Sequence, residues 1–186
     1  EVWVFFDDSN IYVSARLHDS EPARMVANEM RRDHRGIFQG ESFTVALDTY
    51  HDRRNGYYFQ TNPLGALRDA LITDEGNANN DWQTVWDVKA SRNDQGWIFE
   101  MAIPFKSLRF GPGREQVWGI NMVRVVKWKN ETDFVTPMPA AYGPGGLFKF
   151  SIAATLVGLE APAASRNLEI KPYVISDVTT DLTATP

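Results

Sequence analysis

The sequence predicts an all-β fold, an antiparallel β-sandwich with one short helical insertion. Three observations carry that prediction. Short apolar runs are separated by clusters of turn residues along most of the chain, the pattern of a sandwich or barrel. Within several runs apolar residues recur at every second position, as Phe43, Val45 and Leu47 do, which puts successive side chains on opposite faces of a sheet. The 186 residues, at 43% hydrophobic and 12% aromatic content, suffice for one core, and 23% charged residues with a net charge of −5 exclude a disordered chain.

The elements follow in order. Val2 to Phe6 is apolar on both faces, as a central strand would be; Asp7-Asp8-Ser9-Asn10 turns the chain, and Ile11 to Leu17 returns as the second arm of a hairpin. Ser20 to Asp33 is the helical insertion. Asp19 or Ser20 is placed to cap it, Pro22 falls near the first turn where its missing N–H costs nothing, and the run from Arg31 to Gly36 ends it. The strand Glu41–Asp48 leads through a polar stretch to Asn55-Gly56, a hairpin-turn pair, and to its partner Tyr57 to Thr61. Asn62-Pro63-Leu64-Gly65 turns into a strand over Ala66 to Thr73, and Asp74 to Asp81 is a polar loop.

Trp82 to Ala90 and Gly96 to Ile103 are the next strands; Pro104 stops the second, and Phe105 to Leu108 forms one helical turn. Val117 to Trp128 is the longest strand, with Arg124 breaking a row made by Trp118, Ile120, Met122, Val126 and Trp128. A Pro/Gly-rich loop from Thr136 to Gly146 precedes a last strand, Leu147 to Val157. The sandwich therefore occupies residues 1–158, and residues 159–186 form a linker and a polar, Thr-rich tail.

Several chemistries are excluded. Without cysteine there are no disulfides, thiolate metal sites or cysteine nucleophiles, and three histidines (His18, His34, His51) leave little scope for zinc or triad chemistry. The acidic balance argues against a nucleic-acid partner. No apolar run is long enough for a membrane-spanning helix. The chain opens at Glu1 inside an apolar run, which reads as an internal fragment or trimmed chain whose targeting signal lay upstream. No Gly-x-Ser-x-Gly, His-Glu-x-x-His or phosphate-loop motif occurs, and no spacing singles out a carboxylate pair among Asp48, Asp69, Asp87 and Glu100. No catalytic residue is assigned.

What remains is recognition. The strand period of Trp3, Trp97, Trp118 and Trp128 sends them to the core. Trp86 and Trp82 flank the polar loop; core packing is the simpler reading for both, and Trp82 is kept as a candidate for a groove. Phe38 and Tyr142, in loops, are the better stacking platforms. The oxygens of Asp74, Glu75, Asn77 and Asp81 are the candidate metal ligands, against the simpler reading of a solvated turn. Arg124 and Glu100 form an ion pair or touch a ligand. Arg68 and Asp69 point opposite ways, so at most one faces any groove. The clusters Arg31-Arg32 and Arg53-Arg54 read as solvated turns, or as contacts to an acidic partner.

Several stretches carry a family resemblance: Phe6 to Val13, the block Ala46 to Gly56 containing Asp52-Arg53-Arg54-Asn55-Gly56, Asn62-Pro63-Leu64-Gly65, Arg68-Asp69-Ala70, and Glu100 to Leu108 with its Ile103-Pro104-Phe105-Lys106-Ser107-Leu108 core. Together they resemble the family-9 carbohydrate-binding-module-like β-sandwich, in the version found N-terminal to the β-barrel of bacterial outer-membrane proteins. The tail Ser165 to Tyr173 is similar to the lead-in to such a barrel, and an opening strand of the family would precede Glu1. In sugar-binding members two tryptophans clamp a terminal sugar; they fall near Phe38 and near Pro139 to Tyr142, and a binding arginine falls near Gln60, so neither clamp position is Trp here. Members are associated with calcium.

The resemblance implies a non-catalytic module that binds a carbohydrate or glycan through Phe38, Tyr142, Trp82 and Gln60, with Arg68 or Arg124 as donors and calcium as a possible ion. Its protein partner would be its own C-terminal barrel, and its place the outer membrane, on the periplasmic or surface side. Two alternatives stand beside it: a structural or docking domain that keeps the fold without sugar binding, and part of a glycoside hydrolase.

Overall fold

A computed structural model describes residues 1–162. Eleven strands are found among them: β1 Val2–Phe6, β2 Asn10–His18, β3 Ser42–Asp48, β4 Gly56–Thr61, β5 Arg68–Thr73, β6 Asn77–Asn79, β7 Asp87–Asn93, β8 Gly96–Pro104, β9 Glu115–Val126, β10 Glu131–Phe134 and β11 Ala154–Glu160. They form two sheets with every pairing antiparallel. The four-stranded sheet runs β1-β2-β8-β7; the larger one runs β10-β9-β3-β4-β5-β6, with β11 also pairing β9. The predicted sandwich is the observed fold.

Alternation decides the layers. Ile11, Val13, Ala15 and Leu17 of β2 and Trp97, Phe99, Met101 and Ile103 of β8 face Phe43, Val45, Leu47, Phe59, Trp118, Ile120 and Met122 of the larger sheet in one buried core. The larger sheet is buried on its other face too. There Ala46, Tyr58, Ala70, Ile72 and Val123 lie under Leu147 and Phe150 in a second apolar cluster. The cover is a run of 3₁₀ turns over Ala140–Phe148 and Phe150–Ile152. Asn121, fully buried in β9, donates from Nδ2 to the Leu147 carbonyl at 3.3 Å. Arg53 donates to the Ala153 carbonyl at 2.7 Å and to Thr155 Oγ1 at 2.9 Å. These polar links hold the cover where its own short turns offer little cooperativity.

The structure corrects several expectations. Ser20 to Asp33 is not a helix; only Pro22–Arg24 makes a 3₁₀ turn. Its carbonyls go to distant partners instead: Val26 accepts from the Glu41 N–H at 2.7 Å, and Glu29 from Asn62 Nδ2 at 2.7 Å. Tertiary bonds that satisfy the backbone remove the need for a helical ladder. Among the described residues the sole segment of helical length is Ala140–Phe148, kinked at Gly143 (φ 50°). β1 is an edge strand, and Trp3 on it is 47% exposed. Trp97 and Trp118 are core as expected, whereas Trp128 lies beyond β9 with its indole N–H donated to Asp19.

Other shifts are local. The predicted strand Trp82 to Ala90 begins only at Asp87, because Arg32 draws the Thr84 carbonyl out of any ladder. The final strand starts at Ala154, since residues before it form the 3₁₀ cover. β6 lies inside the polar loop, and β10 lies in a stretch to which no element was assigned. Arg32 and Arg53 do not belong to solvated turns: each is spent on a fold contact. Arg124 and Glu100 do not pair. Arg124 lies in the larger sheet, and Glu100 lies in the smaller one opposite Lys89. The tail Ser165 to Tyr173 lies outside the described residues. Among the described residues no helix is long and apolar enough to cross a membrane.

Candidate functional site

The outer face of the larger sheet is only partly covered, and a pocket remains there. The strand register lays Phe134, Val123, Thr44, Gln60 and Arg68 side by side as one row across β10, β9, β3, β4 and β5. Thr44, Gln60, Tyr58, Val123 and Val125 form the floor of a cavity of about 220 Å³. Its walls are Phe38 and Thr132, and the end of the 3₁₀ cover at Pro144, Gly145, Leu147 and Phe148.

Phe38 is placed by local chemistry. It sits in the 3₁₀ turn Arg35–Gln39, whose first residue is preceded by His34, with Nδ1 accepting the Gly36 N–H at 3.0 Å. Ile37 buries itself and leaves its neighbour Phe38 at 46% exposure. Gly40 ends the turn, where a Cβ would strike the Val26 carbonyl oxygen.

Behind Phe38 lies Arg68, 9% exposed. Its guanidinium carbon stands 4.1 Å from the Phe38 ring centroid. One nitrogen donates to the Tyr58 hydroxyl at 2.8 Å and reaches Gln60 Oε1 at 3.5 Å; the other donates to Asn80 Oδ1 at 2.7 Å. Gln60 donates in turn to Ser42 Oγ at 3.3 Å. Burial pushes the Tyr58 phenol up, which keeps it a neutral hydroxyl. Thr44 Oγ1 is buried beside the Tyr58 hydroxyl.

The predicted site residues thus separate. Phe38 and Gln60 line the pocket, and Arg68 stands behind both without lining it. Tyr142 lies two residues before the lining residue Pro144, 45% exposed, with Lys149 Nζ 5.5 Å from its ring centroid. Trp82 and Arg124 are on the inner side of the same sheet: Trp82 packs on Tyr57 and Phe59, and Arg124 pairs in register with the core residue Phe43. The expectation for Arg68 and Asp69 holds. Asp69 points inward and accepts from Trp86 Nε1 at 2.8 Å, from the Thr84 N–H at 3.2 Å and from Arg32. Thr44 and Tyr58 carry no sequence signal because β3 and β4 are buried on both faces, and strand register finds them with the two β9 valines: Gln60 pairs Thr44, Thr44 pairs Val123, and Ser42 pairs Val125.

The oxygens of the polar loop do not fit a calcium ion as one set. Asp74 Oδ1 accepts from Arg54 at 2.6 Å, and Glu75 Oε1 accepts from the Ser151 N–H at 2.6 Å. Among the described residues no three His, Cys, Asp or Glu side chains are grouped to hold a metal. The four carboxylates weighed for hydrolysis are dispersed: Asp48 accepts the Arg53 N–H, Asp69 is tied inward, Asp87 accepts the Val88 N–H and Glu100 is exposed on the smaller sheet. None of the four lines the pocket.

The profile described as carbohydrate family 9 binding domain-like matches residues 1–134. Solved structures share the fold at low identity. A family 9 carbohydrate-binding module from Caldicellulosiruptor kristjanssonii in complex with cellotriose is 16% identical with a TM-score of 0.54, covering 92% of this chain and 80% of that one. The same module with glucose gives 16% and 0.55, covering 91% and 79%. A candidate carbohydrate-binding protein from Bacteroides uniformis gives 13% and 0.62, covering 85% and 76%. No curated protein sequence matches.

Proposed function

The chain belongs to the carbohydrate family 9 binding domain-like family, and from that premise we propose that it is a non-catalytic module that holds the end of a glycan in the pocket on the outer face of the larger sheet. The observation that carries this reading is the juxtaposition of a half-exposed aromatic ring, Phe38, with a small pocket floored by Gln60, Tyr58 and Thr44. A sugar ring offers a C–H face for stacking, which Phe38 and the apolar lining can take, and hydroxyls that can reach the exposed Thr132 at the rim or remain in solvent. Its volume suits one sugar ring. Family relatives bound to cellotriose and glucose lend support.

Calorimetric titration with chain-end sugars, backed by a glycan array, tests the reading. Saturable binding is expected, and Phe38→Ala weakens it about tenfold while the protein stays folded. A folded protein that binds nothing in either assay contradicts it.

The finer context is part of the same proposal: the module stands before a β-barrel in an outer-membrane protein, facing the periplasm or the surface. Support comes from the resemblance of the Asp52-Arg53-Arg54-Asn55-Gly56 and Asn62-Pro63-Leu64-Gly65 blocks and of the tail to that subgroup. The full-length protein is then expected in the outer-membrane fraction of cells; recovery in the cytosol contradicts it.

A second reading, docking onto the barrel or another protein, is favoured by β1. This edge strand exposes Val2, Trp3, Phe5 and Phe6, each near 40% or more. Co-purification with the barrel, lost on Trp3→Glu, supports that reading; co-purification unchanged by Trp3→Glu and Phe5→Lys contradicts it.

A further inference from the structure

We infer that the pocket receives a methyl-bearing part of a sugar, the C6 methyl of a 6-deoxyhexose or the methyl of an acetyl substituent, in preference to a fully hydroxylated ring. The inference rests on the glycan reading above and names the ligand class of that site. The lining is mostly apolar: Phe38, Val123, Val125, Pro144, Leu147 and Phe148 supply most of it. The polar groups near the floor are already engaged. Gln60 donates to Ser42 and accepts from Arg68, and the Arg68 nitrogens are shared among Tyr58, Gln60 and Asn80. Thr44 Oγ1 is fully buried in the floor beside the Tyr58 hydroxyl, so it offers a ligand no accessible partner either.

A hexose carries a hydroxyl on nearly every carbon. Each one taken from water into this pocket without a partner is penalised, and the engaged or buried floor groups leave few partners for them. A methyl group needs no partner and gains by contact with the valines and Leu147. The composition of the lining therefore favours the sugar that enters methyl first, with its remaining hydroxyls at the solvent side near Thr132, which is exposed.

Matched pairs test this: L-rhamnose against L-mannose, and N-acetylglucosamine against glucose, each titrated calorimetrically into the wild-type protein and into Val123→Thr and Val125→Thr. These substitutions keep the β-branched shape and add a hydroxyl to the pocket floor. In at least one pair the methyl-bearing sugar is expected to bind about tenfold more tightly, and the threonine variants shrink that ratio. The pair that shows the preference distinguishes the deoxy methyl from the acetyl methyl. Equal affinity within both pairs overturns the inference and leaves the glycan reading standing. Binding by none of the four sugars, nor by any other on the array, overturns both. A preference unchanged in both threonine variants puts the methyl elsewhere and overturns the inference.

Discussion

Asp69 is the residue on which the larger sheet and the Arg32 loop meet. Its side chain is fully buried, and it takes three donors from Trp86, Thr84 and Arg32. Burial pushes its carboxyl up, while Trp86 and Arg32 pull it back. Asp69→Ala strands the Trp86 and Thr84 donors and leaves Arg32 only its Thr84 carbonyl and Asp33 contacts, and the loss of a buried partner of this kind costs about 3 kcal/mol. The thermal midpoint should fall by about 10 °C. Asp69→Asn keeps an acceptor for Trp86 and should lose clearly less; equal losses in the two variants would contradict the hydrogen-bond account.

Glu29 works in the opposite sense. Bonds from Arg31, to the side chain and from the backbone, lower its pKa from 4.5 to about 2. A depressed carboxylate contributes stability above its unfolded value and loses it as pH falls through the folded one. Unfolding followed from pH 4.5 down to about 2 should therefore show a smaller decline in Glu29→Gln than in wild type. Asp69 and Glu41, both raised by burial, contribute stability below the usual carboxylate range and lose it as pH rises through their elevated values, so they do not mimic this decline. An unchanged acid slope in Glu29→Gln would show that its bonds do not persist in solution.

At the scale of elements, the 3₁₀ cover depends on close approach. A Cβ at Gly56, in β4, would lie 2.5 Å from Phe150 Cζ and would also strike the Leu47 carbonyl oxygen. Gly56→Ala is expected to cost about 2 kcal/mol through overpacking and to make the Gly143–Gly145 stretch easier to cleave. Gly111→Ala, with open space around the added carbon, serves as the control that should change little.

Most strands were legible because alternation survives in a sheet with one wet face, as in β2 and β8. What alternation does not contain is a strand's neighbour, so β1 looked central while lying at an edge. The Ser20 to Asp33 segment has caps and a well-placed proline, yet its carbonyls bond to Glu41 and Asn62, partners far away in sequence. The site was half legible for a similar reason. Phe38, Gln60 and Arg68 stand out as loop or charged residues, whereas Thr44 and Tyr58 sit in strands buried on both faces and are found only through register.

For the whole molecule, the two faces of the larger sheet divide the work. The inner face holds the fold with Trp118, Phe59 and their neighbours, and takes in Trp82 and Arg124 as well. The outer face is closed at one end by the 3₁₀ cover and left open at the Phe38 end, which is where a ligand can enter. The central claim is that a glycan occupies this opening. A methyl-observed NMR titration with the four sugars named above tests it most directly, reading Val123, Val125 and Leu147 against Val2 and Val4 of β1. Saturable shifts at the first three, abolished or weakened about tenfold in Phe38→Ala, are the predicted result. A sugar that moves none of the three, or moves the β1 valines instead, contradicts the account.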